Sequence, residues 1–201
     1  MDKKIILDVF NKYENEITGD DFNNILIELF KNQIDDSVSG EYFSKRPYGF
    51  IKRFKDIDNK CYQIEIKALY PNILIEYNLP LNVPNFAIFT KELLEFYNET
   101  QQVNIKRFIN MIFGKVNTPN SPLKASYNYQ YLVSSLGKYK MYNLINKFHC
   151  DNVLGWDTDT VYIKEYNDEL KDVDNINIIF DELSEHRKQK LIIREGAVYE
   201  T

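Results

Sequence analysis

The 201 residues include only two cysteines, two histidines, one tryptophan and seven glycines. Cys61 and Cys150 form no CxxC pair, and His149 and His186 are not spaced with them as zinc ligands. The usual zinc-site patterns are therefore excluded, and reduced intracellular thiols are expected. No apolar run approaches the length of a membrane span. The N-terminal Met-Asp-Lys-Lys leads into an amphipathic run, not the continuous apolar core of a signal peptide. The expectation is an intracellular, cytoplasmic protein with no membrane partner. Positive charge is also scarce, with 25 Lys and Arg against 30 Asp and Glu, a formal charge of −5 and a pI near 5.2. That excludes a surface that grips nucleic acid over its whole extent. A local basic patch remains open, with modest and salt-dependent affinity. There is no internal repeat and no low-complexity segment.

Hydrophobic residues make up 44% and charged residues 27%, with 15 Tyr and 13 Phe, enough for one domain with a real core. Apolar spacing predicts helices over 3–16 and 21–34, the second capped at Gly19-Asp-Asp, then a polar linker over 35–40. Strands are expected over 48–55 and 61–68, joined by a turn at Asp56-Ile-Asp-Asn59. On the first, Lys45, Arg46, Lys52, Arg53 and Lys55 interleave with Tyr48, Phe50 and Phe54. Such alternation suits either a nucleic-acid backbone contact or a half-buried strand with a solvated face. Pro71 fits the first turn of a helix running to about 78, which Pro80 and Pro84 end. The stretch 90–113 is helical with a break near Thr100, and Thr118–Pro122 is a loop. Residues 125–148 form the longest helix, with Tyr129, Leu132, Val133, Leu136, Tyr139, Leu144, Ile145 and Phe148 toward the core. An acidic loop over 165–175 precedes a helix over 176–188. Two short strands about Glu195-Gly196 follow.

The residues suited to chemistry fall in three places. In Leu154-Gly-Trp-Asp157-Thr-Asp159-Thr-Val-Tyr-Ile163, two carboxylates stand two positions apart. They would share one face of an extended strand or sit at the tip of a hairpin. Adjacent carboxylates raise each other's pKa unless a cation lies between them, and oxygen-only ligands suit Mg²⁺ or Mn²⁺. A solvated turn has the same composition. Glu65 ends a strand just before a helix start, where backbone N–H groups favour anions. Lys106, Asn110 and Phe113, four and three apart, line one helical face. Arg187, Lys188, Lys190 and Arg194 form a second basic cluster.

Three stretches, in order, resemble the polymerase motifs of family B DNA polymerases. Glu65-Ile-Lys-Ala-Leu-Tyr-Pro-Asn-Ile resembles motif A, Asp-x-x-Ser-Leu-Tyr-Pro-Ser-Ile. Lys106-x-x-x-Asn110-x-x-Phe113-Gly114 resembles motif B, Lys-x-x-x-Asn-Ser-x-Tyr-Gly. Gly155-Trp-Asp157-Thr-Asp159-Thr resembles motif C, Tyr-Gly-Asp-Thr-Asp-Ser. The loop with Ser121-Pro122 and the helix with Ser135-Leu-Gly137-Lys138 are also similar to the family, so the likeness spans roughly residues 48–165.

The resemblance implies an α+β fold: a palm-like antiparallel sheet backed by helices, with a short helical fingers remnant and an N-terminal helical pair. Residues 1–40 would be the helical segment and 41–201 the catalytic domain, with 83–117 as the reduced fingers insertion. It implies two-metal nucleotidyl transfer with Mg²⁺ or Mn²⁺, Glu65 and Asp159 as principal ligands and Asp157 beside them. Lys106 would contact the incoming triphosphate, and Asn110, Phe113 and Gly114 would line the nascent base pair. Tyr70 would stack under the sugar and exclude a ribose 2′-hydroxyl. Lys138 and the cluster Arg187, Lys188, Lys190 and Arg194 would lie along the DNA.

The pattern departs from the family at several points. Motif A has Glu65 in place of Asp, and one methylene moves the carboxylate by about a bond length, which can cost on the order of a hundredfold in rate. Phe113 replaces Tyr, and Gly155-Trp156 replaces Tyr-Gly. Neither an exonuclease domain nor a thumb is expected in this chain. The implied activity is low-processivity extension of a DNA primer–template with dNTPs, in a viral or plasmid setting, aided by a protein partner that supplies the thumb or processivity function. The alternatives are a catalytically weak palm acting as an accessory subunit, and a template-independent nucleotidyltransferase.

Overall fold

The structure, a computed structural model, describes residues 1–40, 51–53, 61–149, 151–166, 170 and 176–181. The chain forms two compact units, Met1–Arg46 with Tyr70–Val133, and Pro47–Leu69 with Ser134–Thr201.

The first unit is helical. Helix α1 (Lys3–Phe10) starts at Asp2, whose carboxylate accepts the Lys4 N–H, and it buries Ile6, Val9 and Phe10. Helix α2 (Gly19–Phe30) is capped not by Gly19-Asp-Asp but by Thr18. The Thr18 hydroxyl accepts the Asp21 N–H and the Asp21 carboxylate accepts the Thr18 N–H, a capping box that satisfies two backbone donors. The Thr18 N–H and hydroxyl, both donating to the Asp21 carboxylate, hold Asp21 below its ordinary pKa. Helix α3 (Leu69–Glu76) carries Pro71 in its first turn.

The long helical stretch is two helices, α4 (Phe86–Thr100) and α5 (Val103–Lys115), packed side by side. Gln101 separates them in the left-handed region at φ 55°. Phe108 of α5 stacks on Phe22 of α2 at 4.5 Å and meets Phe10 of α1 edge-on at 5.5 Å. Burying such rings contributes about 2–3 kcal/mol each, with roughly 1 kcal/mol more from pair geometry. A second knot, Phe30, Phe86 and Phe89, joins α2 to α4. Helix α6 (Tyr129–Ile145) belongs to the second unit from Ser134 onward; it buries Tyr129, Val133, Met141 and Leu144, but Tyr139, expected in the core, is 59% exposed.

The second unit holds a five-stranded antiparallel sheet of order β1-β3-β4-β2-β5. Its strands are β1 (Ile51–Arg53), β2 (Cys61–Ile66), β3 (Val153–Asp157), β4 (Thr160–Ile163) and β5 (Ile176–Asp181). Two expectations are corrected. Strands β1 and β2 do not pair with each other, because the β3–β4 hairpin lies between them. Residues 176–181 form a strand, not the start of a helix, because antiparallel pairing with β2, from Ile176 opposite Ile66 to Asp181 opposite Cys61, satisfies their backbone. Ile64 and Val161 face each other, fully buried, as the centre of one face. The expected turn at 56–59, the strands about Glu195-Gly196, and Lys45, Arg46, Lys55, Tyr48, Phe50 and Phe54 lie outside the described residues.

Candidate active site

Antiparallel register determines which polar side chains meet. Asp157 on β3 pairs with Thr160 on β4, Thr160 pairs with Glu65 on β2, and Glu65 pairs with Asn177 on β5. Residues directly opposite in antiparallel strands project from the same face. Asp157, Thr160, Glu65 and Asn177 therefore form one polar row across four strands, and neighbouring strands sit about 4.8 Å apart.

Asp159 completes this arrangement from the hairpin tip. Strand β3 ends at Asp157 and β4 begins at Thr160, so Thr158 and Asp159 form a two-residue turn. Thr158 takes φ 48°, the left-handed conformation that primed hairpin turns require and that β-branched residues rarely adopt. Of the two dispositions open for Asp157 and Asp159, the structure has the hairpin tip. The Asp159 carbonyl accepts the Ile66 N–H at 2.8 Å, which ties the turn to the end of β2 just past Glu65. Beyond it, Ala68 at φ 46° turns the chain into α3.

The electrostatics follow this geometry. Asp159 is held above its ordinary pKa, first by burial and then by the Glu65 carboxylate; Asp157 adds a smaller push in the same direction. The Thr160 hydroxyl, donating to Asp159 Oδ1 at 3.2 Å, works against them. The Thr158 hydroxyl donates to Asp157 Oδ1 at 2.9 Å, and Asp157 is only 8% exposed. Within the hairpin, an irregularity in the β3–β4 register between Val153 and Gly155 re-aims the chain that leads into Trp156 and Asp157.

Among the described residues, no group of three acidic, His or Cys side chains is spaced to hold a metal ion. The close acidic pair is Glu65 and Asp159, with Asp157 farther along the row. That donor set still fits Mg²⁺, which is commonly bound by one or two carboxylates together with substrate phosphates and water.

The remaining predicted residues belong to the first unit or to α6. Tyr70 stacks on Phe113 with centroids 4.1 Å apart and planes 16° off parallel, and Phe113 in turn lies 6.4 Å from Tyr129. Lys106 and Asn110 are exposed on α5, and the Lys106 ammonium lies 5.8 Å from the centre of the Tyr97 ring on α4. Gly114 is half-buried in the last turn of α5, and Lys138 is exposed on α6. Arg187, Lys188, Lys190 and Arg194 fall outside the described residues. Sequence reasoning missed Asn177, the partner of Glu65 on β5. The β-branched run Ile176-Asn-Ile-Ile-Phe was the available signal.

No known family and no curated protein matches the chain. A solved structure that is similar is the family B DNA polymerase from the hyperthermophilic archaeon Pyrobaculum calidifontis, with a TM-score of 0.56 over 81% of this chain. Identity is 15%, and the chain spans 29% of that polymerase's length. At that identity the likeness is one of fold. The fold is α+β and polymerase palm-like, with an antiparallel sheet and, among the described residues, six helices. Among the described residues, no helix is long and apolar enough to cross a membrane.

Proposed function

We propose that the protein is a DNA-directed DNA polymerase of the family B type, extending a primer 3′-hydroxyl with deoxynucleotides at low processivity. The observation that carries this reading is the row Asp157–Thr160–Glu65 with Asp159 tied beside Glu65 by the Ile66–Asp159 hydrogen bond. A carboxylate raised in pKa by burial and then by a second carboxylate is arranged to accept a cation, and such perturbed groups mark functional sites. Glu65 and Asp159 would hold Mg²⁺ or Mn²⁺, with Asp157 and Thr160 fixing their surroundings. Bound divalent ions lower the pKa of the attacking hydroxyl and neutralise charge at the α-phosphate and leaving pyrophosphate.

The protein's own groups then bind and orient. Lys106 binds the triphosphate as an exposed cation. Asn110, Phe113 and Gly114 line the base pair, and Tyr70, braced by Phe113, backs the sugar and rejects a 2′-hydroxyl. The stretch 83–117 acts as the fingers in a catalytic domain over 41–201. Lys138 and the 187–194 cluster contact DNA, and a protein partner adds to the grip on it.

A second reading, an accessory palm of little activity, is favoured by the longer Glu65 and by the lack of a closed three-carboxylate group among the described residues. Radiolabelled dNMP incorporation on a primer–template separates the two. The polymerase reading predicts Mg²⁺- or Mn²⁺-dependent incorporation that Asp159→Asn and Glu65→Gln each reduce at least a hundredfold. Incorporation undiminished in both variants would contradict the site, and none in wild type with any metal would favour the accessory subunit.

A further inference from the structure

We infer that the N-terminal segment is part of the nucleotide-binding apparatus, with Asn104 and Arg107 as positioning residues that hold α5 in place for Lys106, Asn110 and Phe113. The inference rests on the role proposed for α5 and identifies what fixes that helix.

The connection between α1 and α2, residues 11–18, runs along α5 and is stitched to it almost from end to end. Gln102 Nε2 donates to Asn11 Oδ1 at 3.0 Å. Asn104, buried in the first turn of α5, donates from Nδ2 to the carbonyls of Tyr13 and Asn15, both at 3.0 Å. Its Oδ1 accepts the Ile17 N–H at 3.1 Å. One side chain thus meets three backbone groups of a loop almost ninety positions earlier. Arg107 donates from Nε to the Ile17 carbonyl at 2.7 Å and pairs with Glu16. Phe108 fills the space between Phe10 and Phe22, and Lys115 donates to the Gly19 carbonyl at 2.9 Å.

Helix α5 needs this support. Gln102 makes no side-chain capping bond, and thirteen residues is a marginal length for a helix held by its own hydrogen bonds. The stitched side carries Asn104, Ile105, Phe108, Ile109 and Ile112, all buried, whereas Lys106 and Asn110 are exposed on the side turned away. Asn104 and Arg107 flank Lys106 in the chain, so they fix the turn that carries the proposed triphosphate contact. A helix ordered before the ligand arrives binds it more tightly, because the ordering entropy is not lost at the moment of binding. The expected signature is therefore in affinity: a weaker KM and Kd for dNTP at an unchanged kcat.

The experiment compares two buried amides in the same unit. Asn104→Ala removes the seam. Asn82→Ala removes an amide that donates to the Pro122 carbonyl at 2.8 Å and accepts the Lys124 N–H at 2.7 Å, away from α5. Binding of a fluorescent dNTP in Ca²⁺ is read by anisotropy, alongside steady-state incorporation and thermal unfolding. Both variants should lose thermal stability. Asn104→Ala should raise Kd and KM about tenfold with kcat within about twofold, the scale of one lost hydrogen bond, and Asn82→Ala should leave them unchanged. In a Lys106→Ala background the Asn104→Ala effect on Kd should shrink, since part of it acts through that turn. If Asn104→Ala does not fold, Arg107→Ala serves in its place, with a rise of about threefold.

Equal behaviour of Asn104→Ala and Asn82→Ala, or full additivity with Lys106→Ala, would overturn the inference while leaving the polymerase reading intact. A wild-type protein that binds no nucleotide overturns that reading first, and this one with it.

Discussion

Thr158 provides a direct test of the hairpin that carries the carboxylates. Its φ of 48° lies in the left-handed region, where an L side chain costs roughly 1–2 kcal/mol and glycine costs almost nothing. Against that, its hydroxyl donates to Asp157 Oδ1 at 2.9 Å, a partly buried bond to a carboxylate. Such a bond contributes about 1–2 kcal/mol net. Thr158→Ala removes the bond and keeps the unfavourable φ, so it should destabilise by about 1 kcal/mol. Thr158→Gly removes both, so the two terms nearly cancel and stability should stay within about 0.5 kcal/mol of wild type. In an ordinary strand the order is reversed, with glycine about 0.5–1 kcal/mol worse than alanine. Urea unfolding of the three proteins measures the difference, and at this size 1 kcal/mol also shifts Tm by about 2–4 °C. A glycine variant less stable than the alanine variant would refute the left-handed turn and the placement of Asp159 that depends on it.

Other perturbations probe the scaffold. Gly40→Ala should be destabilising by about 1–3 kcal/mol in thermal unfolding, because an added Cβ would meet the Ala125 carbonyl oxygen at 2.4 Å, backbone that cannot step aside. Thr18→Ala should cost about 1 kcal/mol through loss of the capping box at α2, with Thr18→Ser close to wild type by the same measurement. Cys61 is fully buried, and burial pushes its thiol up to about 11. In the unfolded chain this thiol ionises in its ordinary range, so folding stability should decline as pH rises past 9, a slope that Cys61→Ala reduces in urea titrations. The Cys61-containing peptide should also resist alkylation in the native protein at pH 8 and react on unfolding.

What the sequence made legible was local. The three motif stretches could be found because each is a short run whose spacing is already a structural statement. Glu65 ends a strand, Lys106 and Asn110 share a helical face, and Asp157 and Asp159 stand at a hairpin tip. The rest depended on contacts between distant positions. That the hairpin inserts between β1 and β2 follows from pairings about a hundred residues apart, invisible to periodicity. Residues 176–181 misled because Ile176, Ile179 and Phe180 satisfy helical spacing as well as a strand-like composition, and only pairing with β2 decides. Tyr139 misled for a related reason, since an amphipathic helix of many tyrosines does not announce which of them is solvated. Asn104 carried no signal, as its three partners lie 87 to 91 positions away. Glu65 and Asp159 were singled out from motifs, yet their proximity rests on the register of β2 with β4 and on the Ile66–Asp159 hydrogen bond.

The central claim is that this carboxylate row serves templated nucleotide addition. The most direct test is single-nucleotide extension of a short primer on four templates that differ only in the first unpaired base. Each dNTP is offered alone with Mg²⁺ or Mn²⁺. The account predicts that the nucleotide added changes with the template base and that Asp159→Asn abolishes every addition. Addition that ignores the template base would contradict it and point to a template-independent transferase.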